Sequence, residues 1–185
     1  MSSTLTSSAM LETHPFGSFV PPKARYLVLG SFTTKEAFDA KKKAAYVWFY
    51  SNGRNQFWPI LESLYKTPLK TRLAMQQLFS KLDMALADII YQCERKKNSN
   101  LDINLTNIVY AIDDITSILE TNTIVTIFFT SRNVEDKFRR IFKGLISRYP
   151  NIKLVTLPSP SPRFTMKLAK KIKRYQSLLP SLSKS

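Results

Sequence analysis

Three short apolar runs constrain this chain more than any other feature: Arg25-Tyr-Leu-Val-Leu-Gly30, Thr123-Ile-Val-Thr-Ile-Phe-Phe-Thr130 and Asn151-Ile-Lys-Leu-Val-Thr-Leu157. Each has the length and residue types of a buried strand, and glycine closes the first while Pro158 stops the third. A fourth, weaker run, 85–91, cannot be told from a helix end by period alone. Between the runs the period becomes helical. Val134, Phe138, Ile141 and Phe142 recur at helical spacing and leave Lys137, Arg139 and Arg140 on other faces. Leu168, Ile172, Tyr175 and Leu179 form one stripe, and Lys167, Lys170, Lys171 and Arg174 another. Residues 56–65, 71–82 and 113–120 also read as helices, with Thr71 and Asp113 as caps. Strands alternating with helices predict an α/β three-layer sandwich, with a central, mainly parallel four-stranded sheet flanked by helices. Ligands of such sheets bind beyond the carboxyl ends of the strands, so function is sought after Leu29, Tyr91, Phe129 and Leu157.

Composition narrows the class. At 185 residues and 44% hydrophobic content the chain can bury a core without staples. Cys93 is the only cysteine and His14 the only histidine, so no internal disulfide and no Cys/His zinc set is available, and no metal or cofactor is expected. Cys93 reads as a buried structural thiol. The longest apolar stretches fall far short of the roughly 20 residues that span a bilayer, and no signal-peptide pattern opens the chain. The expectation is a monomeric intracellular protein: one domain over 14–180, with flexible tails at 1–13 and 181–185. The net charge of +15 suits nucleic acid, an anionic membrane surface, an acidic protein, or simply a solvated basic surface, and does not choose among them.

Three loops could carry chemistry. Gly30-Ser31-Phe32-Thr33-Thr34 lets backbone N–H groups approach a ligand but lacks the further glycines of a dinucleotide-binding loop. The segment from Tyr46 to Pro59 gathers both tryptophans, four other aromatics and the polar turn Asn52-Gly53-Arg54-Asn55. Rings of this kind fill a core or stack on nucleobases, asparagine can read a base edge, and arginine binds phosphate. Leu157-Pro-Ser-Pro-Ser-Pro-Arg163-Phe164 is a stiff loop, either an ordinary exit from the last strand or a grip on phosphate. The Lys41-Lys42-Lys43 run and the basic stripe beginning at Lys167 are solvated helix faces or phosphate guides.

A parallel sheet would bring these loops to one edge, and together they resemble the uracil-DNA glycosylase superfamily, in particular its hypoxanthine-DNA glycosylase branch and mismatch-specific uracil/thymine relatives. The likeness lies in Gly30-Ser-Phe32, Arg54-Asn55-Gln-Phe57-Trp58 and Leu157-Pro-Ser-Pro-Ser-Pro162, with His14-Pro15-Phe16, Ala87-Asp88-Ile89-Ile90 and Cys93-Glu94-Arg95 in support. The resemblance implies excision of a uracil or hypoxanthine base from damaged or mispaired DNA by a base-flipping, monofunctional glycosylase in base excision repair, associated with the nucleoid. It implies a base pocket of Gly30, Ser31, Phe32, Phe57 and Trp58, with Phe57 stacked on the extruded base. Asn55 becomes the principal catalytic group. Asp88 is the spare carboxylate if water is to be activated, or else a helix or strand-end cap. Arg54, Ser159, Ser161, Pro162, Arg163, Lys167 and Lys171 become the DNA contacts. Superfamily members commonly carry Asp or Asn in the loop after the first strand, where this chain has Ser31, Thr33 and Thr34. Many also have a histidine opening the last motif, where Leu157 and Pro158 stand; His14 would have to fold back to serve. Those departures keep a second reading open, an inactive nucleic-acid-binding module on the same fold, and a third, a small-molecule binder with an incidental basic surface.

Overall fold

The computed structural model describes residues 11–38, 46–96 and 99–182, so the Lys41-Lys42-Lys43 run and most of both expected tails lie outside the described residues. The central sheet has four strands, β2 (Tyr26–Gly30), β3 (Met84–Asp88), β6 (Thr126–Phe129) and β7 (Lys153–Thr156), in the order β3-β2-β6-β7. Every pairing in it is parallel, and the register sets Gly30 beside Asp88.

Both faces of this sheet are covered, which is why its strands read as nearly continuous apolar runs. Side chains alternate across it. Leu27 and Leu29 point into a core shared with Ile115 and Ile118 of α3 (Ile112–Thr121) and with Val134 and Phe138 of α4 (Arg132–Ile141). Val28 points the other way, toward Trp58 and Ile60 of α1 (Phe57–Tyr65), Phe79 of α2 (Arg72–Lys81) and Tyr175 of α6 (Leu168–Leu178). A short α5 (Lys143–Ile146) follows α4. The α/β sandwich predicted from the alternation of periods is therefore present, with a wholly parallel four-stranded sheet. Thr71 caps α2 as expected, its hydroxyl accepting from Ala74 N–H at 3.1 Å. Asp113 does not cap α3. Ala111 holds that position, and Asp113 and Asp114 sit in the first turn, where carboxylates favour the positive end of the helix dipole.

A second sheet was not legible from hydrophobic period. β1 (Leu11–Thr13), β4 (Ile90–Arg95) and β5 (Leu105–Tyr110) form an antiparallel sheet in the order β1-β4-β5. The expected strand at 85–91 is thus the end of β3 and the start of β4, separated by Ile89, whose N–H donates to Gly30 O at 2.9 Å. Leu11–Thr13, expected to be loose tail, pairs with Gln92, Cys93 and Glu94.

Arg95 ties this sheet to the sandwich. Its buried guanidinium grips the Glu12 carboxylate at 2.8–3.0 Å and donates to Ser99 O and Thr33 O, both at 2.9 Å. One side chain thereby fixes β1, the loop after β2 and the loop after β4. Removing it leaves Glu12 and two carbonyls without partners, so Arg95→Leu is expected to cost about 3–5 kcal/mol. Urea denaturation checks this as a lowered midpoint at unchanged slope.

Candidate functional site

A cleft of about 1030 Å³ opens at the carboxyl edge of the parallel sheet. The chain leaves β2 with β3 on one side and β6 on the other, and a crevice beside such a strand is where open α/β sheets bind ligands. The three loops singled out from sequence all line it. Two further segments complete the wall: 99–103, between β4 and β5, and 130–134, at the start of α4.

The floor is built on an absence. Gly30 has no side chain, and a Cβ there would overlap Asp88 Oδ1 and the Tyr50 hydroxyl. Asp88 fills that space, and its side chain is 5% exposed. His14 Nε2 lies 2.9 Å from Asp88 Oδ2, and the imidazole is equally buried among the rings of Phe16, Phe32 and Phe49. The Phe16 N–H donates to His14 Nδ1 at 3.3 Å, so the proton belongs on Nε2, which donates to the carboxylate. The lone histidine does fold back. Asp88 lines the cleft, and its Oδ1, which lies against Gly30, takes no hydrogen bond from a described residue. The buried hydroxyls of Ser31 and Thr33, also in the cleft wall, have no partner among the described residues.

Tyr50, not singled out by the sequence pattern, forms another part of the wall. Its ring lies 4.2 Å from that of Phe57, and its hydroxyl donates to Thr130 Oγ1 at 3.4 Å. Burial, then the nearby Asp88 charge, push its pKa well above the ordinary phenol value. Its backbone is left-handed, at φ 56°, a conformation that costs a side chain about 1–2 kcal/mol. The aromatic positions beyond it correct the expectation. Phe57 is 1% and Trp58 0% exposed, and neither lines the cleft. Phe57 packs behind Tyr50, while the Trp58 indole donates to Phe49 O at 2.6 Å. The ring of this segment that lines the cleft is therefore Tyr50, and Phe32 lines it as well.

Asn55 does line the cleft. Its Oδ1 accepts from Phe57 N–H at 2.9 Å, at the start of α1, while Nδ2 has no partner among the described residues. The amide is thus presented to the cleft as a donor. Arg54 beside it is exposed at the rim.

The Ser/Pro loop is held from behind by α6. Tyr175 donates to Pro158 O at 2.9 Å, Lys171 Nζ donates to Ser161 O at 2.9 Å and Gln56 Oε1 at 2.7 Å, and Gln56 N–H donates to Pro160 O at 2.9 Å. Lys171, expected among the DNA contacts, is 0% exposed and serves as an internal brace. Helical period places it on the solvent stripe, but the loop folds over it, and desolvation lowers its pKa. Lys167, Pro162 and Arg163 remain exposed. Ser159 Oγ and Ser161 Oγ accept from Ser161 N–H and Arg163 N–H, which leaves each hydroxyl proton free to donate outward.

Across the cleft, the Glu36 carboxylate accepts from Asn52 Nδ2 at 3.2 Å and Asn100 Nδ2 at 2.8 Å, joining three wall segments. Burial acts to raise its pKa, but hydrogen bonds led by that from Asn100 leave it lowered. Sequence period carried no signal for Glu36 or Asn100, because polar loop residues acquire meaning only through the contact.

No protein-family profile matches the chain, and no curated protein matches it. Among solved structures, it is similar to the solution NMR structure of a "putative Uracil DNA glycosylase" from Methanosarcina acetivorans. The TM-score is 0.58 at 16% sequence identity, over 91% of this chain and 99% of that one. At that identity the likeness is one of fold: a parallel sheet flanked by helices over nearly the whole of both chains.

Two outcomes are expected. Gly30→Ala drives a methyl into Asp88 and Tyr50, at about 1–3 kcal/mol, and breaks the His14–Asp88 bond. The chain has a single histidine, so its imidazole NMR signals report that loss without assignment. At alkaline pH, Tyr50, Tyr65 and Tyr175 stay protonated above the ordinary value of 10.0. Burial likewise lifts the Cys93 thiol to about 11. The unfolded chain releases these protons first, so stability falls as pH rises through the unfolded values. The lowered Lys171 acts with opposite sign, but alone. Urea midpoints should drop between pH ~9 and ~11, with part of the phenolate absorbance appearing only on unfolding.

Proposed function

We propose that this protein is a monofunctional DNA glycosylase that flips a deaminated base, uracil or hypoxanthine, out of DNA and hydrolyses its N-glycosidic bond. One observation carries the reading: the cleft is lined both by an amide, Asn55, whose Nδ2 has no partner among the described residues, and by a carboxylate, Asp88, one oxygen of which is held by His14. Oδ1 already accepts from Phe57 N–H, so Nδ2 is the Asn55 atom left to meet a base, and it donates to a keto oxygen, not to an amino group. Uracil and hypoxanthine present a keto oxygen where cytosine and adenine carry an amine. Cytosine or adenine would meet donor against donor.

In the reaction, the C1′–N bond breaks and its electron pair leaves with the base. Asn55 Nδ2 stabilises the charge gathering on that base, and the sugar becomes oxocarbenium-like. Asp88 Oδ1 orients a water toward C1′ and takes its proton as the C–O bond forms. The departing base is then protonated from solvent. His14 acts through Asp88, as a positioning residue that fixes the carboxylate's orientation. Tyr50 and Phe32 flank the base. Arg54, Arg163, Lys167 and the Ser159 and Ser161 hydroxyls meet phosphates, and Pro162 sits at the gap left in the helix. The protein works as a monomer on damaged or mispaired DNA. Among the described residues no helix is long and apolar enough to cross a membrane.

The test uses labelled duplexes carrying uracil, hypoxanthine or a mismatched thymine, with alkaline cleavage of abasic sites. Release of uracil or hypoxanthine is expected. Asn55→Ala and Asp88→Asn should each lower kcat by about 10²–10³ while lesion binding stays within about threefold. Lesion binding without base release in the wild type would establish the inactive binding module instead. Neither binding nor release would end the nucleic-acid reading.

A further inference from the structure

Opposite the Ser/Pro loop, the mouth of the cleft is formed by a one-turn 3-10 helix, Asp102–Asn104, between β4 and β5. Ile103 on this turn is 86% exposed, the highest value among the described large hydrophobic residues, and Leu101 before it is 40% exposed. Single exposed apolar side chains are ordinary on protein surfaces. Ile103 differs in its position and in the rigidity of the backbone beneath it. Asn104 N–H donates to Leu101 O at 2.9 Å, and Lys96 N–H to Asn104 O at 2.8 Å. The Asp102 carboxylate accepts from Asn133 Nδ2 at 2.9 Å and Lys137 Nζ at 3.5 Å. Asn100 spans Glu36 and the Lys35 N–H. The polar groups on both sides are thus spent inward, and the branched aliphatic side chain is held outward at the lip of the cleft.

What meets this knob must also suit the far lip, where Pro162 and the Arg163 guanidinium line the same cleft, and the base of the turn at Arg54. Duplex DNA offers both chemistries within one helix width, phosphates for the arginines and base faces for an aliphatic side chain. We infer that Ile103 enters the duplex from the side opposite the Ser/Pro loop and packs against the base left unpaired when its partner is extruded. This rests on the base-excision reading of the cleft and adds a second point of entry. It makes Ile103 a determinant of double-strand preference, because a single strand has no orphaned base to cover.

Ile103→Ala and Ile103→Asn test this, with Leu73→Ala, 63% exposed and outside the cleft, as a control. Excision of uracil and hypoxanthine is compared in duplex and single-stranded oligonucleotides of one sequence. Binding is measured on duplexes with a 2′-fluoro lesion that resists hydrolysis, with 2-aminopurine opposite the lesion as reporter of the orphaned base. The expected result is a loss of about tenfold in duplex kcat/KM, a single-strand change under about twofold, and altered 2-aminopurine emission in the wild-type complex that the Ile103 variants do not reproduce. Equal effects on both substrates, or none on either, overturn the role of Ile103 while leaving excision intact. A wild-type protein that neither binds nor cuts any lesion overturns both readings. The control variant should match wild type throughout.

Discussion

The pairing of Gly30 with Asp88 across two parallel strands is the contact on which the site depends. A parallel sheet buried on both faces normally ends in apolar side chains, and a carboxylate at 5% exposure needs compensation there. Three things supply it. The missing side chain at Gly30 makes room, the His14 imidazole donates to one oxygen, and the cleft leaves the other in reach of water or ligand. Any residue larger than glycine at position 30 would close the space that Asp88 occupies. The carboxylate therefore follows from strand register and from a glycine, not from a local motif.

His14 reaches this position because the small antiparallel sheet carries it there. β1 ends at Thr13, the His14 N–H donates to Tyr91 O at 2.8 Å, and the next residues turn the imidazole inward against Phe16, Phe32 and Phe49. Arg95 locks the arrangement by holding Glu12 of β1 and Thr33 O of the pocket loop in one guanidinium fork, a geometry that a lysine ammonium cannot match. The second sheet adds Ile90, Cys93 and Leu105 to the core on one face of the parallel sheet, and it also delivers His14 to the floor of the cleft and, at its other end, the 99–104 turn to the lip.

The parts of this structure that could be read from sequence are those governed by local period. The strands around Val28, Phe128 and Val155 were legible because covered strands are apolar at nearly every position, and α2 because Thr71 carries its own capping oxygen. The parts that could not be read depend on pairing at a distance. β4, with its mixture of Tyr91, Gln92, Glu94 and Arg95, has half its side chains outside the core and shows no clean alternation. Lys171 occupies a stripe that is solvated in an isolated helix and becomes interior only when a proline-rich loop folds across it. Phe57 and Tyr50 are equally aromatic in sequence. The left-handed backbone at Tyr50 and the start of α1 at Phe57 decide which ring faces the cleft.

The distribution of charge completes the logic of the site. Three basic residues in the cleft wall, Lys35, Arg54 and Arg163, are matched by three acidic ones, Glu36, Asp88 and Asp102, so the wall carries none of the net excess of +15. A cleft with no net charge gains little from phosphate attraction and has to select by shape and by the direction of its donors. Two of those carboxylates are held by neighbours, Glu36 by the Asn52 and Asn100 amides and Asp102, through Oδ2, by Asn133 and Lys137, while Asp88 is held by His14 through Oδ2 and keeps Oδ1 without a hydrogen bond from the described residues. Under the proposed reading, the exposed lysines and arginines hold any duplex without regard to sequence, and a strand can be searched at low cost because the cleft adds nothing until a base enters. Only a base with a keto oxygen aligned to Asn55 brings its sugar over Asp88, so the same alignment that selects the base positions it for hydrolysis.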